Sequence, residues 1–240
     1  MKAFKLLGMW FAGLMALTAL DEVYAQESLD GDSKRPVVVE LFQSQGCSSC
    51  PPADANLNAL AARADILALS YAVTYWDDLG WKDTFAQQAF TDRQWVYARR
   101  RGRTDVWTPQ VFINGRRDVV GTDRTQLDDA VAEAATTMKR GPALSWREGR
   151  LHVGAGEAGT YDVWLVRYDP RTLEVPIGAG ENGGRVLPHR NIVRQLVRLG
   201  SWSGGEQDFT LPMPTIAGLA TAAFIQAGPG GAIIDATIQR

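Results

Sequence analysis

The motif Cys47-Ser48-Ser49-Cys50 holds both cysteines of a 240-residue chain. Two residues between two thiols let one turn of chain bring the sulfurs together. So small a ring favours rapid exchange over entropic stabilisation of the fold. The chemistry on offer is therefore thiol–disulfide exchange, with a static bridge and a thiolate metal site as alternatives. A tetrahedral zinc site needs four ligands, and the two histidines, His152 and His189, stand far along the chain. Binding of Cu(I) by the two thiolates stays open.

The elements around the pair decide how reactive it is. The run Pro36-Val-Val-Val-Glu-Leu-Phe42 predicts a strand buried on both faces. A turn follows at 43–46. The segment 48–64 predicts a helix, with Leu57, Leu60, Ala61 and Ala64 on one side and Pro51 and Pro52 confined to the first turn. A thiolate at such a strand-to-helix junction faces unpaired amides and the positive end of the helix, which lowers its pKa below the free value of about 8.5. This placement gives Cys47, nearer the helix start and the more exposed, the attacking role. Cys50, one turn inside, resolves the mixed disulfide.

Composition narrows the class. Twenty-five basic and 27 acidic side chains leave a net charge of −2, which disfavours a nucleic-acid partner needing phosphate neutralisation. A hydrophobic content of 45% with 22% charged residues is that of a globular protein. Lys2 and Lys5 precede an apolar run over 6–20, too short to cross about 30 Å of hydrocarbon. Val23-Tyr24-Ala25 then supplies small residues for cleavage after Ala25. The expectation is a signal peptide at 1–25, a flexible leader at 26–35 and a periplasmic or secreted protein with no stable membrane span after cleavage. An uncleaved anchor is the alternative. Export would let a thiol pair persist as a disulfide.

Further along, 66–73 predicts a second apolar strand, making a βαβ unit with the first strand and the helix. The segment 75–103 is aromatic and polar, with helical stretches and caps at Asp83 and Thr91. Asp77 and Asp78 are expected to cap a helix, with proton transfer near the cysteines as the sharper reading. Thr108-Pro109 precedes an apolar run at 110–113; Asn114-Gly115 then predicts a hairpin, and 122–138 a last helix. Gly141-Pro142 stops it. From 143 onward, short runs at 143–146, 151–153, 161–168, 173–177, 192–199, 209–211, 222–226 and 232–238 alternate with turn residues, as in a β-sandwich or open barrel. Arg99, Arg100, Arg101 and Arg103 read as a solvated helix end. The glycine-rich 180–184 loop does not match a phosphate loop. It reads as a turn between strands, with Glu181 and Asn182 placed to contact the first domain.

The CxxC pair between strand and helix, with Thr108-Pro109 before a later strand, resembles the thioredoxin superfamily. The stretches Phe42-Gln-Ser-Gln-Gly-Cys-Ser-Ser-Cys-Pro-Pro-Ala-Asp54, Tyr75-Trp76-Asp77, Gly80-Trp81-Lys82-Asp83 and Thr108-Pro-Gln-Val-Phe-Ile-Asn-Gly115 are similar to an exported bacterial family of unknown function with a thioredoxin-like fold. Gly180-Glu-Asn-Gly-Gly-Arg185 and Asn191-Ile-Val-Arg194 extend that likeness into the second half. The resemblance implies an α/β thioredoxin-like domain with a helical insert at 36–141, followed by a mostly β, sandwich-like domain at 142–240. It implies that Pro109 is cis and that Thr108 lies beside Cys47. Two departures stand out: Gly46 rather than Trp precedes the first cysteine, and Leu41 occupies the position of the buried acid. Glu40 is adjacent, but one step along a strand points a side chain to the opposite face.

The functional expectation is an exported thiol–disulfide oxidoreductase using Cys47, Cys50, Thr108 and Pro109, without a cofactor, on protein thiols or disulfides. The alternatives are a non-catalytic binding or assembly module with a structural disulfide, and a copper-handling thiol pair.

Overall fold

A computed structural model describes Met1 and residues 35–139 and 141–239. The expected signal peptide and most of the expected leader lie outside the described residues. Residues Lys34–Arg240 form one compact unit.

The elements run in chain order as β1 (Val37–Gln43), α1 (Pro51–Leu60), β2 (Ile66–Ala72), α2 (Gln88–Arg100), β3 (Gln110–Ile113), β4 (Arg117–Val119), α3 (Arg124–Thr137), β5 (Leu144–Arg147), β6 (Arg150–Val153), β7 (Tyr161–Asp169), β8 (Leu173–Pro176), β9 (Val186–His189), β10 (Ile192–Trp202), β11 (Gln207–Thr210), β12 (Ala220–Gln226) and β13 (Ile233–Ile238). Strands β1 and β2 are buried along their whole length and pair in parallel, from Val37 opposite Ile66 to Gln43 opposite Ala72. Their Val, Ile and Leu content suits strands covered on both faces. β3 runs antiparallel on the other side of β1 and turns into β4 through Asn114 and Gly115, whose φ values of 44° and 59° are those of a type I′ turn.

The sheet does not stop at this unit. Its order is β13-β12-β7-β10-β2-β1-β3-β4, with β10 joined to β2 through Ile192 opposite Ser70. The expected α/β thioredoxin-like domain with a helical insert, followed by a mostly β domain, is thereby overturned. Among the described residues the fold is mostly β, with three short helices and one mixed sheet of eight strands drawn from both halves of the chain. The physical reason is the free edge of β2: a buried strand must pair its amides and carbonyls, and the start of β10 with Asn191 before it supplies partners at Ser70 and Ala68. A three-stranded sheet, β11-β6-β5, and the β8-β9 hairpin complete the structure.

Alternation along the strands sorts the core into faces. Val37, Val39 and Leu41 cluster with Ala53, Leu57 and Leu60 of α1 and with Leu127, Ala130 and Val131 of α3. Val38 and Phe42 cluster instead with Phe90 and Tyr97 near α2, and with Val166 and Phe224 of the later strands. On the far half, Ala223 and Ile225 of β12 pack with Leu151, Val153 and Phe209 of the small sheet.

Two expected caps fall elsewhere. Asp83 is buried in a turn, and Thr91 lies inside α2 with its hydroxyl bonded to Thr74. The Arg cluster is only partly solvated: Arg101 donates to the carbonyl of Gly115, and Arg103 pairs with Asp118 at 2.6 Å. Among the described residues, no helix is long and apolar enough to cross a membrane.

Candidate functional site: a covered disulfide

β1 ends at Gln43, and the chain turns back through Ser44, whose hydroxyl accepts from the amide of Gly46 and whose carbonyl accepts from that of Cys47. Asp83 grips the turn from outside, its carboxylate accepting from the amide of Gln45 at 2.7 Å, while the indole of Trp81 donates to the Gln45 side chain at 2.9 Å. Cys50 is the N-cap residue of α1, in helical conformation, and is bonded to Cys47 with 5.4 Å between their Cα atoms.

Two expectations about reactivity change. Cys47 is not the more exposed sulfur residue: both cysteines are fully buried, while Ser48 and Ser49 between them are exposed. Nor does the helix start offer spare donors. Pro51 and Pro52 have no amide hydrogen, and the amides of Ala53 and Asp54 both donate to the Cys50 carbonyl. The hydrogen-bond partner of the Cys47 sulfur is the hydroxyl of Ser49, at 3.3 Å.

The loop between β8 and β9 covers the pair. Asn182, fully buried, donates from Nδ2 to the carbonyls of both Gln45 and Cys47 at 2.9 Å. Its own oxygen accepts from Arg185 at 2.6 Å. Glu181 accepts from the amide of Ser48 at 3.1 Å, and this bonding to Ser48 holds its carboxyl below the usual range. Gly180, at φ 71°, packs on Trp81; a Cβ there would lie 3.1 Å from Trp81 Cβ. The sequence foresaw contact by Glu181 and Asn182, and gave no sign that they cover the cysteines.

Thr108 and Pro109 arrive at the same end of the sheet. Phe42 opposes Gln110 in the antiparallel β1–β3 register, so Pro109 lies where β1 gives way to the 44–47 turn. The Thr108–Pro109 bond is cis. Trp76 ties the two segments together: its indole donates to the Thr108 hydroxyl at 2.7 Å, and a Cβ on Gly46 would meet Trp76 Cβ at 3.7 Å. Trp76 therefore packs beside Gly46 while its indole holds Thr108.

Glu40 is not at the site. It points to the α2 face, where Arg93 donates to both of its oxygens, at 2.7 and 3.1 Å, and Tyr97 donates as well. The acid on the cysteine side is Asp54, one helical turn after Cys50 and buried beside His189. Asp54 Oδ1 and His189 Nδ1 are 3.7 Å apart. Burial raises the Asp54 pKa against the opposing pull of His189. For His189, burial acts downward, but Asp54, Asp83 and Glu174 together carry the pKa above its usual value. Sequence reasoning weighed His189 only as a metal ligand; the four-residue step from Cys50 to Asp54 was the available signal. Asp77, read as a cap, accepts from the Asp83 amide. Among the described residues, no group of three or more His, Cys, Asp or Glu side chains is arranged to hold a metal ion.

The crystal structure of protein AGR_C_4864 from Agrobacterium tumefaciens is similar to this chain, at 32% identity over 84% of this chain and 92% of that one, with a TM-score of 0.70. HBP35 of Porphyromonas gingivalis shares the fold, with a TM-score of 0.54 at 12% identity, over 87% of this chain and 76% of that one. No curated protein matches. A family described as protein of unknown function, DUF1223, matches residues 38–226, and the chain belongs to that family.

Proposed function

We propose that this protein is an exported thiol–disulfide oxidoreductase acting on protein thiols or disulfides in the periplasm or outside the cell. The observation that carries this reading is a disulfide closed between Cys47 and Cys50 at the start of α1, with only Ser48 and Ser49 inside the ring. An incoming thiolate attacks the Cys47 sulfur. The Cys47–Cys50 bond breaks, and Cys50 leaves as a thiolate and is protonated. A second thiolate from the same partner then attacks its own mixed-disulfide sulfur and releases Cys47. The protein pair is reduced and the partner dithiol oxidised. The reverse sequence runs when Cys50 attacks the mixed disulfide.

Titration of the mature protein against glutathione or dithiothreitol buffers tests this reading. A reversible two-electron transition that is lost in Cys47→Ser supports it. A bridge that stays closed at every accessible potential overturns it.

A second reading rests on a different observation. Both cysteines are fully buried, Asn182 is bonded to the Cys47 carbonyl, and the first turn of α1 has no unpaired amide. These features suit a structural bridge in a binding or assembly module. Cys47→Ser separates the two readings: full retention of partner binding and cellular phenotype in that variant favours the module.

A further inference from the structure

On the first turn of α1 and at the end of β9, two buried ionisable groups have no assigned work. His189 is 1% exposed and Asp54 5%. Neither ring nitrogen of His189 has a hydrogen-bond partner among the described residues. An imidazole so placed would ordinarily be aligned by a carbonyl or carboxylate, because an unpaired buried polar group is costly. Its position is nevertheless fixed. β9 pairs with β8 through His189 opposite Leu173, and Asn58 of α1 donates to the Pro188 carbonyl at 3.0 Å.

The pair also stands close to the sulfur that leaves. Cys50 is in helical conformation and its carbonyl accepts from the Asp54 amide at 3.0 Å, so the two residues have the i, i+4 relation. Side chains so related share one helix face, with Cβ atoms about 5–6 Å apart. A thiolate released at Cys50 would be buried in a site with no spare helix amide, and burial strongly disfavours an uncompensated charge. It needs a proton from a nearby group.

We infer that the Asp54–His189 pair holds the proton that Cys50 takes up when the disulfide opens and returns when it closes. The inference rests on the redox reading above. In the opening step, external thiolate forms a bond to the Cys47 sulfur, the Cys47–Cys50 electron pair leaves with Cys50, and the proton of the pair moves to that sulfur. The pair stays without that proton until the disulfide closes again. In the closing step, Cys50 gives the proton back as it attacks the mixed disulfide and the partner leaves as a thiolate. The charged groups facing His189 are Asp54 from α1, Asp83 from the turn that holds Gln45, and Glu174 from β8; Arg194 stacks on Phe85, whose ring edge meets the imidazole. Asp83 is already occupied by the amides of Gln45 and Phe85, which leaves Asp54 as the partner. The upward shift of both Asp54 and His189 favours the protonated form of each.

The test is the rate of disulfide reduction by dithiothreitol between pH 5 and 9, corrected for the thiolate fraction of the reagent. It is measured on the mature protein and on Asp54→Asn and His189→Gln. The wild type is expected to show a titration step that belongs to the protein. Each variant is expected to lose that step and to fall at least about tenfold in rate at pH 7, toward the lower range of general acid–base contributions. A rate that falls while the step stays in place marks a structural role and overturns the inference, as does an unchanged rate. Should both variants fail to fold, the wild-type profile still decides: a corrected rate flat across the range overturns the proposal. A wild-type bridge that cannot be reduced reversibly removes the redox reading itself, whereas reversible reduction with an unmoved profile removes only the role of the pair.

Discussion

The side-chain amide of Asn182 donates to the carbonyl of Cys47 at 2.9 Å, joining residues 135 positions apart. The same nitrogen reaches the Gln45 carbonyl, so one buried amide holds both ends of the turn that presents the disulfide. Asn182→Ala strips two carbonyls of their donor. The loss of a buried hydrogen-bond partner is worth about 1–3 kcal/mol. Loosening the loop by that amount should speed reduction of the disulfide by a bulky thiol such as a reduced protein at least about fivefold. Competition kinetics against a small thiol checks this; equal acceleration by both, or none, contradicts the covering role.

Pro51 and Pro52 leave the helix start without amide hydrogens of their own. Pro52→Ala restores one donor at the positive end of α1 near the cysteines. A charge at a helix end is worth about 0.3–1 kcal/mol. Stabilising the reduced thiolate should therefore raise the midpoint potential by about 10–20 mV. Equilibration with glutathione buffers reads this directly, and a fall in potential would contradict it.

Glu40 and Arg93 form a buried ion pair on the α2 face, joined by Tyr97 and Gln226. Glu40→Gln leaves the guanidinium uncompensated, and breaking a buried pair from one side costs about 3–5 kcal/mol. Urea denaturation should show that loss, while the rate of disulfide reduction should stay near wild type. A large rate loss would place Glu40 in the reaction.

Asp235 gives a pH signature. Burial raises its pKa from 3.8 to about 6, against the pull of Arg35, whose Nη1 lies 2.7 Å away without hydrogen-bond alignment. An acid with a raised folded-state pKa favours the native state fully below its unfolded value and loses that contribution as pH rises through the folded one. Stability should therefore drop between about pH 4 and pH 6, by on the order of 2–3 kcal/mol. Asp235→Asn should remove that slope and be the more stable protein at pH 7. An unchanged slope in thermal melts would contradict it.

What could be read from the chain divides along physical lines. The apolar runs at 36–42 and 66–73, the Asn114-Gly115 turn and the closeness of Cys47 to Cys50 were legible, because local periodicity, spacing and turn chemistry determine them. The sheet as a whole was not. β10 reads as a strand from its Val and Leu content, but nothing in that content says its neighbour is β2, 122 residues away at the Ile192–Ser70 pair. The same holds for Asn182. A glycine-rich turn announces itself, whereas the carbonyls it will meet are decided by tertiary packing. Asp83 and Thr91 look like caps by residue type, yet tertiary hydrogen bonds claimed both.

The order in which the site is made follows from where its parts lie. A ribosome adds about 5–20 residues per second, so Cys47 and Cys50 precede Asn182 by several seconds of synthesis. An oxidant meeting the chain before residue 182 is in place finds two naked thiols, whereas one arriving after completion meets a thiol pair already roofed by the 180–184 loop. The sulfurs are born open and are closed over later.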